Sequence, residues 1–329
     1  MSIDPILVRI LKSWSEPNLL RQSSDEAGLC GRCHFTLDPI ERCDYLVVLN
    51  HIPHEITIEV APQRVWCFVQ EPPEPVYRWI EKGFRHYGRI YTQDRRCQGP
   101  KIYHSHGSLP WHVARSYDEL RSMPLPAKSR DLSWITSNLS SYEGHRRRLR
   151  FLHALQEAAV PFDLFGRGFR PIADKWDGLA PYRYALAVEN HSSPDYWTEK
   201  IADCFLAGTM PIYFGATNID QYFPEKSFVQ IDIDDPATPR RIREIVASDR
   251  AERNREAIAE ARRLVLEEHN FFPRLARLIA ENQAAESAPS QTLQLPAIPD
   301  LTSYYQQHTP AQRLWHGFSR RVSGLARDH

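Results

Sequence analysis

Two places in the chain gather residues able to do polar chemistry. One is the run YALAVENHSSPDYWTEKIADCFLAGTMPIYFG, from Tyr184 to Gly215, in which an apolar segment ends in Glu189-Asn190, breaks into a polar loop, restarts at Thr198-Glu199-Lys200 and enters a second apolar segment. If Tyr184 to Val188 is a strand of a parallel sheet, Glu189 and Asn190 stand at its carboxyl end, where such sheets bind ligands. Thr198 suits an N-cap, which puts Glu199 and Lys200 in a first helical turn whose free N–H groups and dipole favour an anion. A lysine opposes the dipole there, so its presence points to a bound negative group such as phosphate; a solvated first turn would carry the same residues. The other place is Gln70-Glu71-Pro72-Pro73-Glu74-Pro75, directly after the strand-like Val65 to Val69. Its prolines stiffen the loop, and on residue type alone it also reads as a turn kept soluble by its acids.

Short β-branched or aromatic runs at Ile6 to Leu11, Tyr45 to Leu49, Arg64 to Val69 and Arg89 to Thr92 predict strands, with a helix at Tyr77 to Lys82. Prolines and charge between Ser122 and Asp131 mark a linker. Beyond it, Leu132 to Thr136, Phe162 to Phe165, Tyr184 to Val188, Met210 to Phe214 and Phe228 to Ile231 read as strands. Helices are expected near Gly144 to Ala159, where Leu149, Leu152 and Leu155 recur at helical spacing, at Glu199 to Ala207, and along Arg240 to Asn282. Strands alternating with helices imply parallel sheets, and two such series imply an α/β protein of two Rossmann-like domains facing each other across a cleft. The boundaries expected are residues 1–122, residues 123–286, and a linker with a basic amphipathic tail over residues 287–329.

Composition narrows the function classes. The chain has 329 residues, 42% of them hydrophobic, and 41 Lys+Arg against 41 Asp+Glu. This balance supplies no overall field for nucleic acid, so any anion site is local. The start, MSIDPILVRILKSW, offers no cleavage site, and no apolar run is long enough to span a bilayer, so a cytoplasmic location is expected. Six cysteines are sparse for this length and fit reduced thiols. Cys30 and Cys33, with His34 and Cys43 nearby, offer zinc ligands but lack a second pair at the usual spacing.

The run VENHSSPDYWTEKIADCFLAGTMPIYFGA, followed by Asp220 to Phe228 and the acidic IDIDD, resembles the donor-binding core of the α-1,3/4-fucosyltransferases, glycosyltransferase family 10. Weaker similarity runs upstream through Ser137-Asn138, the arginine-rich helix start and Asp163 to Gly166. Val188 stands where the family usually has Phe, and Trp197 where it has a small aliphatic residue. The resemblance implies a GT-B fold, with an acceptor domain first and a domain for a GDP-fucose donor second. It implies an inverting transfer to a hydroxyl of an oligosaccharide or lipid-linked saccharide, with no metal or other cofactor in the chemistry. Lys200 would then meet the diphosphate, Glu199 the hydroxyls of donor sugar or ribose, and Asn190 and Tyr196 the nucleotide, with Glu189 in the same donor-binding set. Arg148 would be the second phosphate cation, a role that suits a forked, permanently charged guanidinium. The base must lie across the cleft, and the family's strand-end acid matches Glu71, with Glu74 in reserve.

Other features keep other readings open. Asp232-Ile-Asp234 has the form of a metal-binding D-x-D, although it follows the donor motif, the wrong place for a GT-A fold. His104, His106 and His112 match no strong metal spacing. A nucleotide-sugar or glycan-binding protein without catalysis would keep the pocket and dispense with Glu71. In the tail, Pro310 to His329, Leu314, Trp315, Phe318, Val322 and Leu325 accompany Arg313, Arg320, Arg321 and Arg327, a combination suited to docking on the protein or to peripheral contact with the anionic inner membrane surface.

Overall fold

The computed structural model describes residues 5–282, 288–302 and 304. The first sheet is built from β1 (Ile6–Leu11), β2 (Leu29–Cys30), β3 (Cys33–Thr36), β4 (Tyr45–Leu49), then, after β5 (Ile56–Val60), from β6 (Val65–Phe68), β7 (Arg89–Thr92) and β8 (Ile102–His104). Its order is β2-β3-β1-β4-β6-β7-β8, parallel throughout except for the β2–β3 hairpin. Helix α1 (Tyr117–Ser122) leads to the second sheet, made of β9 (Arg130–Ile135), β10 (Asp163–Phe165), β11 (Tyr182–Val188), β12 (Met210–Phe214) and β13 (Val229–Gln230). The order there is β10-β9-β11-β12-β13, all parallel. Helices α2 (Glu143–Glu157) and α3 (Glu199–Leu206) connect its strands, and α4 (Thr238–Val246), α5 (Arg250–Arg253), α6 (Arg255–Leu264) and α7 (Phe271–Asn282) follow.

Central strands such as β4 and β12 are buried at every position, as a parallel sheet covered on both faces requires. Each sheet divides two apolar clusters, one set around Val48, Val65 and Ile90 and around Val8, Val47 and Phe68, the other around Leu132, Leu186 and Ile212 and around Ile201, Phe205 and Tyr213. The expected pair of Rossmann-like units in a GT-B arrangement is therefore the architecture found.

The structure departs from the sequence-based expectation in three ways. The helical stretch expected along Arg240 to Asn282 is four helices, broken after Val246, at Asn254 and, beyond a π-helical turn at Val265–His269, at Asn270, whose extended conformation separates α7. Phe271, Phe272, Leu275 and Ile279 of α7 then pack in the first domain's core, whereas Trp111, Val113 and Leu120 pack in the second's. The chain thus crosses between the domains twice, and neither residue 122 nor residue 286 divides the cores. Thirdly, residues 288–302 are no free linker: β14 (Gln291–Leu295) pairs antiparallel with β5, and the Trp79 Nε1 donates to Thr302 Oγ1 at 3.1 Å. Residues 310–329, the expected amphipathic tail, lie outside the described residues. Among the described residues no helix is long and apolar enough to cross a membrane.

All six cysteines are free. Cys30 and Cys33 face each other across the β2–β3 hairpin, and burial pushes the Cys33 thiol up to about 11. Asp234 accepts from the Arg147 Nε at 2.7 Å, so this half of the D-x-D is occupied by an arginine.

Candidate active site

The carboxyl ends of the two sheets' strands carry the loops that meet between the domains. After β6, Glu71 is held in a braced loop. Asn50, at the end of β4 and with φ of 64°, accepts from the Gln70 N–H at 2.6 Å, and the Gln93 amide beyond β7 donates to the Glu71 carbonyl. Arg96 donates to the Pro73 carbonyl at 2.9 Å. The prolines, which restrict φ and have no N–H to satisfy, and these bonds together stiffen the backbone that carries the carboxylate.

Across the cleft, β11 ends in Glu189 and the chain loops to the N-cap of α3. Asp195, at a φ of 65°, pins this loop. It accepts from Asn218 Nδ2 at 2.9 Å, from the Tyr222 hydroxyl at 2.7 Å and from Arg95 of the first domain. Thr198 caps α3, its hydroxyl accepting from the Lys200 N–H at 3.3 Å. A cavity of about 260 Å³ lies between these loops. Trp14, Glu16, Pro17, Asn50, Gln70 and Glu71 line it from the first domain, with Leu109, Pro110 and His112, and Tyr196, Thr198, Glu199 and Lys200 line it from the second.

The site residues expected from sequence fall into two groups. Glu71, Tyr196, Glu199 and Lys200 share the cavity wall. Glu189, Asn190 and Arg148 do not stand on it. The Glu189 side chain is 1% exposed; its carboxylate accepts from the Thr198 N–H at 2.8 Å, from the Thr198 hydroxyl and from Lys200 Nζ at 3.0 Å. It therefore holds the cap and the lysine rather than reaching the cavity, a correction to its placement among donor contacts. Arg148 is buried too, donating to Asn190 Oδ1 and to Ser137 Oγ at 3.0 Å, so that in this state it joins the loops after β9 and β11. Gly144, at the start of α2, lets that helix press on Asn190: an added Cβ would lie 1.9 Å from the Asn190 carbonyl oxygen.

Electrostatics separate the acids. Burial raises the Glu71 carboxyl to about 7, against the partial relief of Tyr77 and Lys200. Burial would also raise Glu199, but Lys200, Lys175 and His112 hold it well below the ordinary carboxylate range. Lys200, which burial alone would lower, is held charged by Glu189 and Glu199. A carboxyl raised towards neutrality thus shares the cavity with one held low and with a lysine held charged, a division of roles that acid–base chemistry uses.

Sequence reasoning missed three participants. Lys175 places its Nζ 2.9 Å from Asp203 Oδ2 and 3.4 Å from Glu199 Oε1. Asp203 is buried and accepts the His112 N–H with its other oxygen at 2.8 Å. Trp14, half-buried at the cavity, follows β1. Trp197, the unusual residue in the motif, does not line the cavity; it stacks on His106 of the first domain with ring centroids 4.5 Å apart and closes the domains together. His104 and His106 are likewise structural, the former bonding the Cys97 carbonyl at 3.0 Å.

Residues 125–253 match the family model described as Glycosyltransferase family 10 (fucosyltransferase) C-term. This segment is similar to glycosyltransferase family 10. It contains Arg148, Glu189, Asn190, Tyr196, Glu199 and Lys200, whereas Glu71 lies upstream of it. A human 3-galactosyl-N-acetylglucosaminide 4-alpha-L-fucosyltransferase is 25% identical over 244 residues, 69% of this chain and 65% of the relative. A Bos taurus alpha-(1,3)-fucosyltransferase is 33% identical over 116 residues, 33% of this chain and 28% of the relative. The chain thus spans somewhat less than two thirds of the length of the curated relatives it matches. A crystal structure of an alpha1,3-fucosyltransferase with GDP-fucose superposes with a TM-score of 0.47 at 18% identity, covering 78% of this chain and 82% of that one.

Proposed function

We propose that the protein is an inverting glycosyltransferase that moves fucose from GDP-fucose to a hydroxyl of a glycan, with no metal ion in the chemistry. The observation that carries the reading is the convergence of Glu71 from one domain and Glu199–Lys200 from the family 10 segment of the other on a single cavity. The names of the curated relatives support fucose as the sugar.

In this reading the acceptor oxygen attacks the anomeric carbon from the Glu71 side. The bond to the diphosphate oxygen breaks, GDP departs with the electron pair, and the acceptor proton passes to the Glu71 carboxylate. A base with a pKa of about 7 is matched to that transfer near neutrality. Lys200 turns from Glu189 towards the leaving diphosphate, and Glu199, acceptor-only while ionised, takes hydrogen bonds from hydroxyls of the donor. Arg148 and Asn190 hold the loops that form the nucleotide side of the pocket.

A thermal-shift and turnover screen over GDP-, UDP- and CMP-sugars tests the assignment. GDP-fucose should give both a shift and transfer. A UDP-sugar giving both while GDP-fucose gives neither refutes the donor, and a shift without turnover on any acceptor points to a binding protein.

A further inference from the structure

Lys200 cannot serve two anions equally. Its Nζ lies 3.0 Å from Glu189 Oε2 and 3.5 Å from Glu199 Oε1. A diphosphate that draws this ammonium away removes a cation from Glu199 at the moment when that carboxylate must stay ionised and correctly aimed. Four groups face Glu199 directly: Lys200, Thr198, Lys175 and the His112 imidazole, whose Nδ1 is 3.9 Å away, with Glu189 and Asp203 as the neighbouring acids. Burial lowers the His112 imidazole from its ordinary value, against the opposing pull of Glu199. Lys175 is the permanent cation that remains, among the described residues.

We propose that Lys175 is a positioning residue of the donor site, fixing Glu199 and Asp203 together so that one ammonium sets both the donor-sugar contact and the seam between the domains. The inference rests on the functional reading above. Lys175 opens the 3₁₀ turn Lys175–Gly178, which Asp174 caps by accepting the Trp176 N–H at 2.9 Å. Asp174 also accepts the Ala114 N–H at 2.9 Å and pairs with Arg115 at 2.9 Å, so the base of the turn is anchored to the segment that crosses from the first domain. The Lys175 ammonium, which burial alone would lower, is kept charged by Asp203 and Glu199. Asp203 in turn accepts the backbone N–H groups of His112 and Val113, at 2.8 and 3.4 Å. An ordered path therefore runs from the crossing segment at His112 and Val113, through Asp203 and Lys175, to the Glu199 carboxylate. Lys175 itself stays behind the cavity wall and touches neither phosphate nor sugar.

The test compares Lys175→Met and Lys175→Arg with wild type, by calorimetry with GDP and by steady-state kinetics with GDP-fucose. Lys175→Met should leave GDP affinity within about twofold and raise KM for GDP-fucose by about tenfold or more, as expected when a charge-assisted hydrogen bond disappears from the sugar subsite alone. Lys175→Arg should recover most of the loss. Because Lys175→Met leaves Asp203 buried without its cation, the double variant Lys175→Met/Asp203→Asn removes that burden and should retain the raised KM. An unchanged KM in either folded variant overturns the inference, as does an equal fall in GDP and GDP-fucose affinity. Wild-type protein that neither binds GDP nor turns over GDP-fucose overturns the functional reading and this inference with it; wild-type activity with an indifferent Lys175→Met overturns the inference alone.

Discussion

Replacing Glu71 by Gln should abolish transfer and, at alkaline pH, stabilise the protein. The carboxyl has an ordinary value of 4.5 and is raised by burial to about 7 in the folded chain. Between those two values the folded protein keeps a proton that the unfolded chain has released, so stability falls as pH rises through this window. A rise of that size corresponds to at most about 3 kcal/mol at pH 8. The carboxylate borders an open cavity and solvent screens part of the cost, which leaves about 1–3 kcal/mol. Glutamine has the same shape and no charge, so Glu71→Gln should melt a few degrees higher than wild type at pH 8.5. At pH 4.5, where wild type is also neutral at this position, the difference should vanish. Removal of a general base costs roughly a hundred- to ten-thousandfold in rate, so transfer should fall by that factor while GDP binding persists. Scanning fluorimetry at the two pH values, paired with initial rates on GDP-fucose, reads both effects. A stability difference that is the same at pH 4.5 and 8.5, or turnover within tenfold of wild type, would refute the placement of an uncompensated base at Glu71. Should Glu74→Gln be the inactive variant instead, the role moves there.

Lys200→Ala should weaken GDP by about 1.5–3 kcal/mol in calorimetry, because the charged hydrogen bond to phosphate is gone. Gly144→Ala drives a methyl into the Asn190 carbonyl and should cost about 1–3 kcal/mol in denaturant melts, with weaker GDP binding because the α2–Asn190 junction shifts. Ending the chain after residue 287 removes β14 and the buried Leu295 and Ile298, so its melting temperature should fall by several degrees while a chain ending after residue 309 keeps that strand. Transfer should survive EDTA; a loss that Mg²⁺ or Mn²⁺ restores would assign a metal to the chemistry.

The second domain was legible because its information is local. The strand, polar loop, cap and helix of Tyr184 to Gly215 are contiguous, and each buried parallel strand announces itself as an unbroken apolar run. Glu71 was singled out by the resemblance, which its place at a strand end among prolines fits, whereas residue type alone also reads that loop as a soluble turn. What sequence did not disclose depends on distant partners. Gln291 to Leu295 alternates weakly and becomes a strand only against β5, more than 200 residues earlier. Lys175, flanked by Asp174 and Asp177, looks like any solvated turn until Asp203 and Glu199 are seen around it. Glu189 read as a donor contact because position at a strand end says nothing about rotamer; its carboxylate turned inward, where three donors waited. The division of cores was equally hidden, since α7 is amphipathic whichever domain receives it.

The double crossing of the chain has a mechanical consequence. Since α7 and β14 both rest on the first domain, the polypeptide leaves the described fold, at residue 304, from the half that carries Glu71. A graft placed after residue 304 would therefore join the half that carries Glu71. The half that carries Glu199 and Lys200 joins that body through two stretches of polypeptide, residues 110–116 and 265–270, so neither half can be excised from the chain by a single cut.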